Sequence, residues 1–144
     1  MILSSILKQK GAEVAHVAPA ASVAEVADVL ARHGIGAVLV CDAADQLLGV
    51  VSERDIVRAL TLHGARTLQM TAAQLMTAHP RTVPPATTVP EAMAIMTEGR
   101  FRHLPVCDEG RLVGIVSIGD VVKARISEQD HEVDSLRAYV AGAA

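Results

Sequence analysis

From Ser22 onward the apolar residues Val23, Val26, Ala27 and Leu30 fall three, one and three apart, a spacing that gathers them on one face of a helix. Ser22 with Glu25 three positions on has the form of a capping box, and His33-Gly34 has the form of a helix end. The period then shortens. Ala37-Val-Leu-Val-Cys41 and Leu47-Leu-Gly-Val-Val51 are short β-type runs separated by Asp42-Ala-Ala-Asp45, which predicts a hairpin, and a second helix is predicted to begin just after Ser52. A short extended piece around His16-Val17 precedes the first helix.

The same order returns further along. Val17–Glu25 aligns with Val83–Glu91, Val40-Cys-Asp42 with Val106-Cys-Asp108 and, after one residue is dropped in the turn, Gly49–Asp55 with Gly114–Asp120. The second copy is therefore predicted to hold an extended piece at Thr82-Val83, a helix over about 88–98, strands near 103–107 and 111–117, and a helix from about 118. Self-similarity on this scale marks a repeat architecture. The predicted fold is α/β, of the α+β kind: two β-α-β-β-α repeats packed sheet against sheet as a pseudo-two-fold pair, because each alone leaves a sheet face half covered. The expected organisation is 1–66 for the first repeat with a short N-terminal helix, 67–125 for the second, and 126–144 for a C-terminal helical extension, with the join near 61–72.

Gly-x-x-Ser-x-x-Asp occurs at Gly49, Ser52 and Asp55 and again at Gly114, Ser117 and Asp120, each time at a predicted strand-to-helix junction. One reading is local: serine as N-cap and aspartate as third helical residue hold the helix start. The other reading is a ligand site. A helix N-terminus offers free N–H groups and partial positive charge to an anion, the serine hydroxyl adds a donor, and an aspartate one turn in can accept from the two hydroxyls of a ribose. The glycine would let backbone come close to the ligand.

With Leu75-Met76, Thr82-Val-Pro-Pro85, Arg102-His-Leu-Pro-Val106 and the two Gly-x-x-Ser-x-x-Asp motifs in place, the chain resembles the CBS domain family, named after cystathionine β-synthase, from about Ile6 to Arg125. The resemblance implies paired units with two clefts for adenosine-containing ligands such as AMP, ADP, ATP, NAD or S-adenosylmethionine. It further implies that Asp55 and Asp120 hold ribose hydroxyls and that Ser52 and Ser117 face phosphates. Backbone near Val17 and Val83 would read the adenine edge, while Ala37-Val38 and Leu104-Pro105 would line its pocket. The copies differ: Leu39 stands where the second has Pro105, and His16 where the second has Thr82. Arg54 in the first turn of the first copy, and Arg102 and His103 beside the second, are candidate phosphate contacts.

Composition narrows the function classes. The net charge is −3 and the basic residues are scattered, so the footprint of a phosphate-backbone binder is missing and nucleic acid is not an expected partner. Phe101 and Tyr139 are the only aromatics, so a bound purine would lie between aliphatic side chains. No run of about 18 apolar residues occurs, and the first residues lack the pattern of a signal peptide, so a cytoplasmic protein with no membrane partner is expected. Cys41 and Cys107 are read as small buried hydrophobes. His16, His33, His63, His79, His103 and His131 never come at ligand spacing and no Cys-x-x-Cys occurs, so no metal site is expected. No nucleophile elbow or phosphate-gripping glycine loop is present, so no catalytic residue is assigned.

After the second motif, Val122, Ile126, Gln129, Val133, Leu136 and Val140 follow steps of four and three, the seam of a long helix over about 119–140. It either folds back on its own core or pairs with a second copy, with Gln129 setting register. The expected function is a regulatory binding module for an adenosine-containing ligand, most simply AMP, ADP, ATP or NAD. It would need no cofactor, form a homodimer and act on a separate, unidentified protein. The alternatives are a ligand-free dimerising scaffold and a nucleotide-processing enzyme.

Overall fold

The computed structural model describes residues 1–11 and 14–142. The elements run α1 (Leu3–Lys10), β1 (His16–Val17), α2 (Val23–His33), β2 (Ala37–Cys41), β3 (Leu47–Ser52), α3 (Glu53–His63), a 3-10 turn (Gly64–Gln69), α4 (Ala72–Leu75), β4 (Thr77–Ala78), α5 (Val89–Gly99), β5 (His103–Asp108), β6 (Arg111–Ser117) and α6 (Ile118–Gly142). They gather into two compact units, one of residues 14–81 with 109–112, the other of 1–11, 82–108 and 113–142.

In the first-repeat unit β1 lies parallel to β2, with His16 opposite Leu39 and Val17 opposite Val40, and β2 is antiparallel to β3, with Ala37 opposite Ser52. Every residue of β2 is buried. Val38 and Val40 pack with Val26, Leu30 and Val51 under α2, while Ala37, Leu39 and Cys41 alternate onto the other sheet face. The Ser22–Glu25 capping box forms, and Gly34 ends α2 in the left-handed region, φ +61°.

The second-repeat unit repeats the helix-hairpin-helix order on a smaller sheet, which among the described residues has only β5 and β6. Val83, expected in an extended piece, makes a single parallel bridge to Val106 and no strand, since Pro84 and Pro85 follow it and cannot donate to a ladder. Leu104, Val106, Val116, Val89, Met96 and Val121 form its core.

The largest departure from the sequence expectation concerns the segments that open each repeat. Leu3 and Ile6 of α1, assigned by sequence to the first repeat, are buried in the core of the second-repeat unit. There the backbone is stitched by Leu3 N–H to the Thr87 carbonyl at 2.9 Å, Ser4 N–H to Pro85 at 3.0 Å and Val89 N–H to Met1 at 3.0 Å. In mirror fashion, residues 70–78 open the second repeat yet belong to the first-repeat unit. Val23 N–H donates to the Met70 carbonyl at 2.8 Å, Ala72 N–H to Ala21 at 2.8 Å, and β4 adds a strand beside β3. The repeats thus exchange their opening segments. Each exchanged segment brings apolar side chains to a surface of the other repeat that would otherwise face water. Cys107 also differs from expectation. It is only half-buried, and burial still pushes its thiol up.

Among the described residues no helix is long and apolar enough to cross a membrane.

Candidate functional site

The two Gly-x-x-Ser-x-x-Asp motifs sit where the sequence put them, at β3–α3 and β6–α6. Their glycines have a packing task. A Cβ on Gly49 would lie 2.6 Å from the Met76 sulfur and 2.7 Å from the Thr77 carbonyl, and one on Gly114 would lie 2.5 Å from Leu7 Cδ2. Both glycines therefore make room for the exchanged segment, which replaces the expected close approach to a ligand as the visible reason for glycine here.

The serine–aspartate pairs cap their helices. Ser52 N–H donates to Asp55 Oδ2 at 2.8 Å and Asp55 N–H donates back to Ser52 Oγ at 3.3 Å. In the second copy the same bonds measure 2.9 and 3.1 Å between Ser117 and Asp120. The first helical amides are taken too: Glu53 N–H donates to the Gly36 carbonyl at 2.9 Å and Ile118 N–H to Arg102 at 2.7 Å. Of the first three helical amides only those of Arg54 and Gly119 lack a partner among the described residues. The anion site anticipated at each helix start therefore reduces to a single N–H.

The carboxylates divide their work by atom. In both copies Oδ2 receives the cap, and Oδ1 accepts no hydrogen bond from the described residues; the nearest cation to Asp55 Oδ1 is Arg58, at 4.0 Å. Asp55 and Asp120 side chains are 19% and 24% exposed, enough for a hydroxyl to reach the idle oxygen. Capping and ligand binding thus use different atoms of one side chain.

The copies differ around this shared core. The Ser52 hydroxyl donates to Asp55 Oδ2 at 3.0 Å, so its proton is spent locally, whereas the Ser117 hydroxyl accepts from Asp120 N–H and donates to none of the described residues. Asp120 has a partner that sequence reasoning missed: Lys10, at the end of the exchanged α1, places its ammonium 2.7 Å from Oδ2 and 3.1 Å from the Ile115 carbonyl. Burial pushes the Asp120 carboxyl up, but the Lys10 and Ser117 hydrogen bonds and the lysine charge outweigh it and leave the group below its ordinary value. Nothing in sequence joins residues 10 and 120, because the contact depends on the segment exchange.

The remaining candidates fall into two sets, one in each unit. Ala37 lies directly across the ladder from Ser52, and Val17 beside Val40. Val38 and Leu104 point into their cores, so the alternating residues, Ala37 with Leu39 and His103 with Pro105, share the face away from the core. Val83 N–H donates to the Pro105 carbonyl at 3.2 Å and its carbonyl accepts from Cys107 at 2.9 Å. An adenine edge read here would use peptide groups of flanking residues such as Thr82, which is exposed. Arg54 and Arg102 are exposed, and His103 is half-buried.

The model of the CBS domain matches residues 10–62 and 72–127. The fold is similar to that of a CBS-domain-containing protein from Agrobacterium tumefaciens, 46% identical, covering 86% of this chain and 92% of that one with a TM-score of 0.83. A CBS domain protein from Pyrobaculum aerophilum, described as complexed with AMP, is 29% identical over 83% of this chain and 89% of its own, TM-score 0.75. Among curated proteins, a mitochondrial CBS domain-containing protein of Arabidopsis thaliana is 37% identical over 78% of this chain, which spans 57% of that relative's length.

Proposed function

Because the chain belongs to the CBS domain family, its two repeats each matching the model, we propose that it is a regulatory module that binds an adenosine-containing ligand such as AMP, ADP, ATP, NAD or S-adenosylmethionine. The observation that carries this reading is the idle Oδ1 of Asp55 and of Asp120, each beside a completed cap. A cap alone needs one carboxylate oxygen. A second acceptor at the same height in both repeats fits a pair of ribose hydroxyls. The AMP complex of the Pyrobaculum aerophilum relative supports the same ligand class. No step of bond making or breaking is assigned to any residue. The module would act as a homodimer on a separate protein, changing that partner's behaviour through its own ligand occupancy.

Calorimetry with AMP, ADP, ATP, NAD and S-adenosylmethionine tests the reading. Asp120→Ala should weaken the bound ligand by about 1–3 kcal/mol, the scale of a lost charged acceptor. Asp120→Asn should cost a similar amount, because its amide oxygen can keep the cap while its NH2 turns a donor toward the ligand hydroxyl. Absence of heat with all five ligands would reject the sensor in favour of a ligand-free scaffold, in which both aspartates are caps only.

A further inference from the structure

The 25-residue α6 is about 37 Å long at 1.5 Å per residue. Only its first part is anchored: Val121 and Ala124 enter the core, and Glu128 pairs with the Met1 ammonium and with Arg125. From His131 to Gly142 every residue is exposed. The seam residues Ile126, Val133, Leu136 and Val140 are 53%, 47%, 63% and 61% exposed, and no described residue covers them. A stripe this apolar on a projecting helix is an unfilled contact.

The pattern specifies what fills it. Ile126, Val133 and Val140 stand at a positions and Gln129 and Leu136 at d: β-branched a residues with Leu136 favour two parallel strands, and the polar Gln129 fixes register at some cost in stability. The flanking charges agree with that geometry. In a parallel, in-register pair each g residue meets the e residue five positions on in the partner helix, which sets Arg125 against Asp130 and Glu132 against Arg137. Both pairs are of opposite sign. The antiparallel register that stacks Ile126 on Leu136 instead brings Glu132 to Glu132 and Asp130 to Asp130. At about 100° per residue the seam lies roughly 120° around α6 from the side held by Val121, Ala124 and Glu128, so the side that α6 gives to the core of its own unit is not the seam.

We infer that the C-terminal half of α6 pairs with the same segment of a second copy as a parallel, in-register two-stranded coiled coil, held by the Ile126–Val140 seam and by two kinds of interchain ion pair. This rests on the homodimer proposed above and gives it a place and an orientation. The seam residues are separate from both aspartate sites, so ligand binding and pairing can be tested apart.

Sedimentation equilibrium of the full chain should show a dimer. Leu136→Glu should weaken it roughly a hundredfold, since two leucines leave the seam, while ligand binding and the thermal melt of the body stay as in wild type. Glu132→Arg alone should weaken it roughly fivefold, the scale of exposed ion pairs turned repulsive. Adding Arg137→Glu should restore it to within about twofold. Positions 132 and 137 are five apart and do not face each other on one helix, so that rescue reports a contact between chains. Val140→Cys should oxidise to an interchain disulfide joining position 140 of one copy to position 140 of the other, identified by mass spectrometry, because only a parallel in-register pair brings these positions together. A monomeric wild type, a dimer indifferent to Leu136→Glu, failure of the charge rescue or absence of that disulfide would each overturn the coil.

Discussion

Replacing Lys10 by methionine removes a cation while keeping the apolar stem of the side chain. Two hydrogen bonds go, to Asp120 Oδ2 and to the Ile115 carbonyl, but Asp120 retains the Ser117 N–H at 2.9 Å. The carboxylate is therefore not orphaned. With 39% of the lysine side chain and 24% of the aspartate still exposed, solvent screens the pair, and its loss should cost about 1 kcal/mol, the top of the range for surface ion pairs. Urea unfolding followed by far-UV circular dichroism at pH 7 should show that loss as a lower midpoint at unchanged slope. The pH dependence follows from the sign of the Asp120 shift. A carboxyl held below its ordinary value in the fold adds stability above an unfolded value of about 3.9, and loses that stability as pH falls through the folded value. The Lys10 share of this should therefore be present in full at pH 7, shrink below about pH 4 and be lost as pH falls through the folded value. A difference between wild type and Lys10→Met that stays constant from pH 7 to pH 3 would show that Lys10 acts through packing or the Ile115 carbonyl and not through Asp120.

Gly49→Ala should destabilise the chain by about 1–3 kcal/mol, because the new Cβ meets the Thr77 carbonyl of β4 at 2.7 Å and backbone cannot step aside. Gly114→Ala should cost less, since its nearest obstacle is the end of the Leu7 side chain; chemical denaturation giving the reverse order would refute the assignment. Arg54→Ala should weaken ligands in proportion to their phosphate charge and leave adenosine nearly unchanged, as expected for an exposed cation whose own amide has no partner among the described residues. Equal losses for adenosine and ATP by calorimetry would show that Arg54 supports the local fold and does not read phosphate.

Much of the fold was legible because the signals were local. The Ser22–Glu25 box, the Gly34 helix end, the hairpin around 42–46 and both serine–aspartate caps each lie within a few residues of chain. The same locality placed Asp55 and Asp120 at their junctions, and the repeat made each copy a check on the other. What escaped was what depends on the exchange of opening segments. Leu3 and Ile6 read as the start of the first repeat, and only the structure shows that they complete the second. Lys10 had no reason to be singled out for the same cause. Alternation along β2 and β5 also corrects a pair read as adjacent: Val38 and Leu104 serve the cores, and their neighbours take the other face. The free amides imagined at the helix starts were overcounted, because Gly36 and Arg102 supply carbonyls from a neighbouring loop, a contact that no local pattern encodes.

The exchange also imposes an order on synthesis. Leu3 and Ile6 leave the ribosome well before the residues that bury them, since Val89, Met96, Leu104, Val116 and Val121 are made some 80 to 120 positions later. At roughly 5–20 residues per second the opening helix waits on the order of ten seconds with its apolar face uncovered. The first repeat faces the opposite schedule: it lacks α4 and β4 until residue 78 has emerged, and then everything in its unit but residues 109–112 is in hand. The nascent chain should therefore consolidate around residues 14–81 while the apolar face of α1 stays uncovered until the second repeat is made.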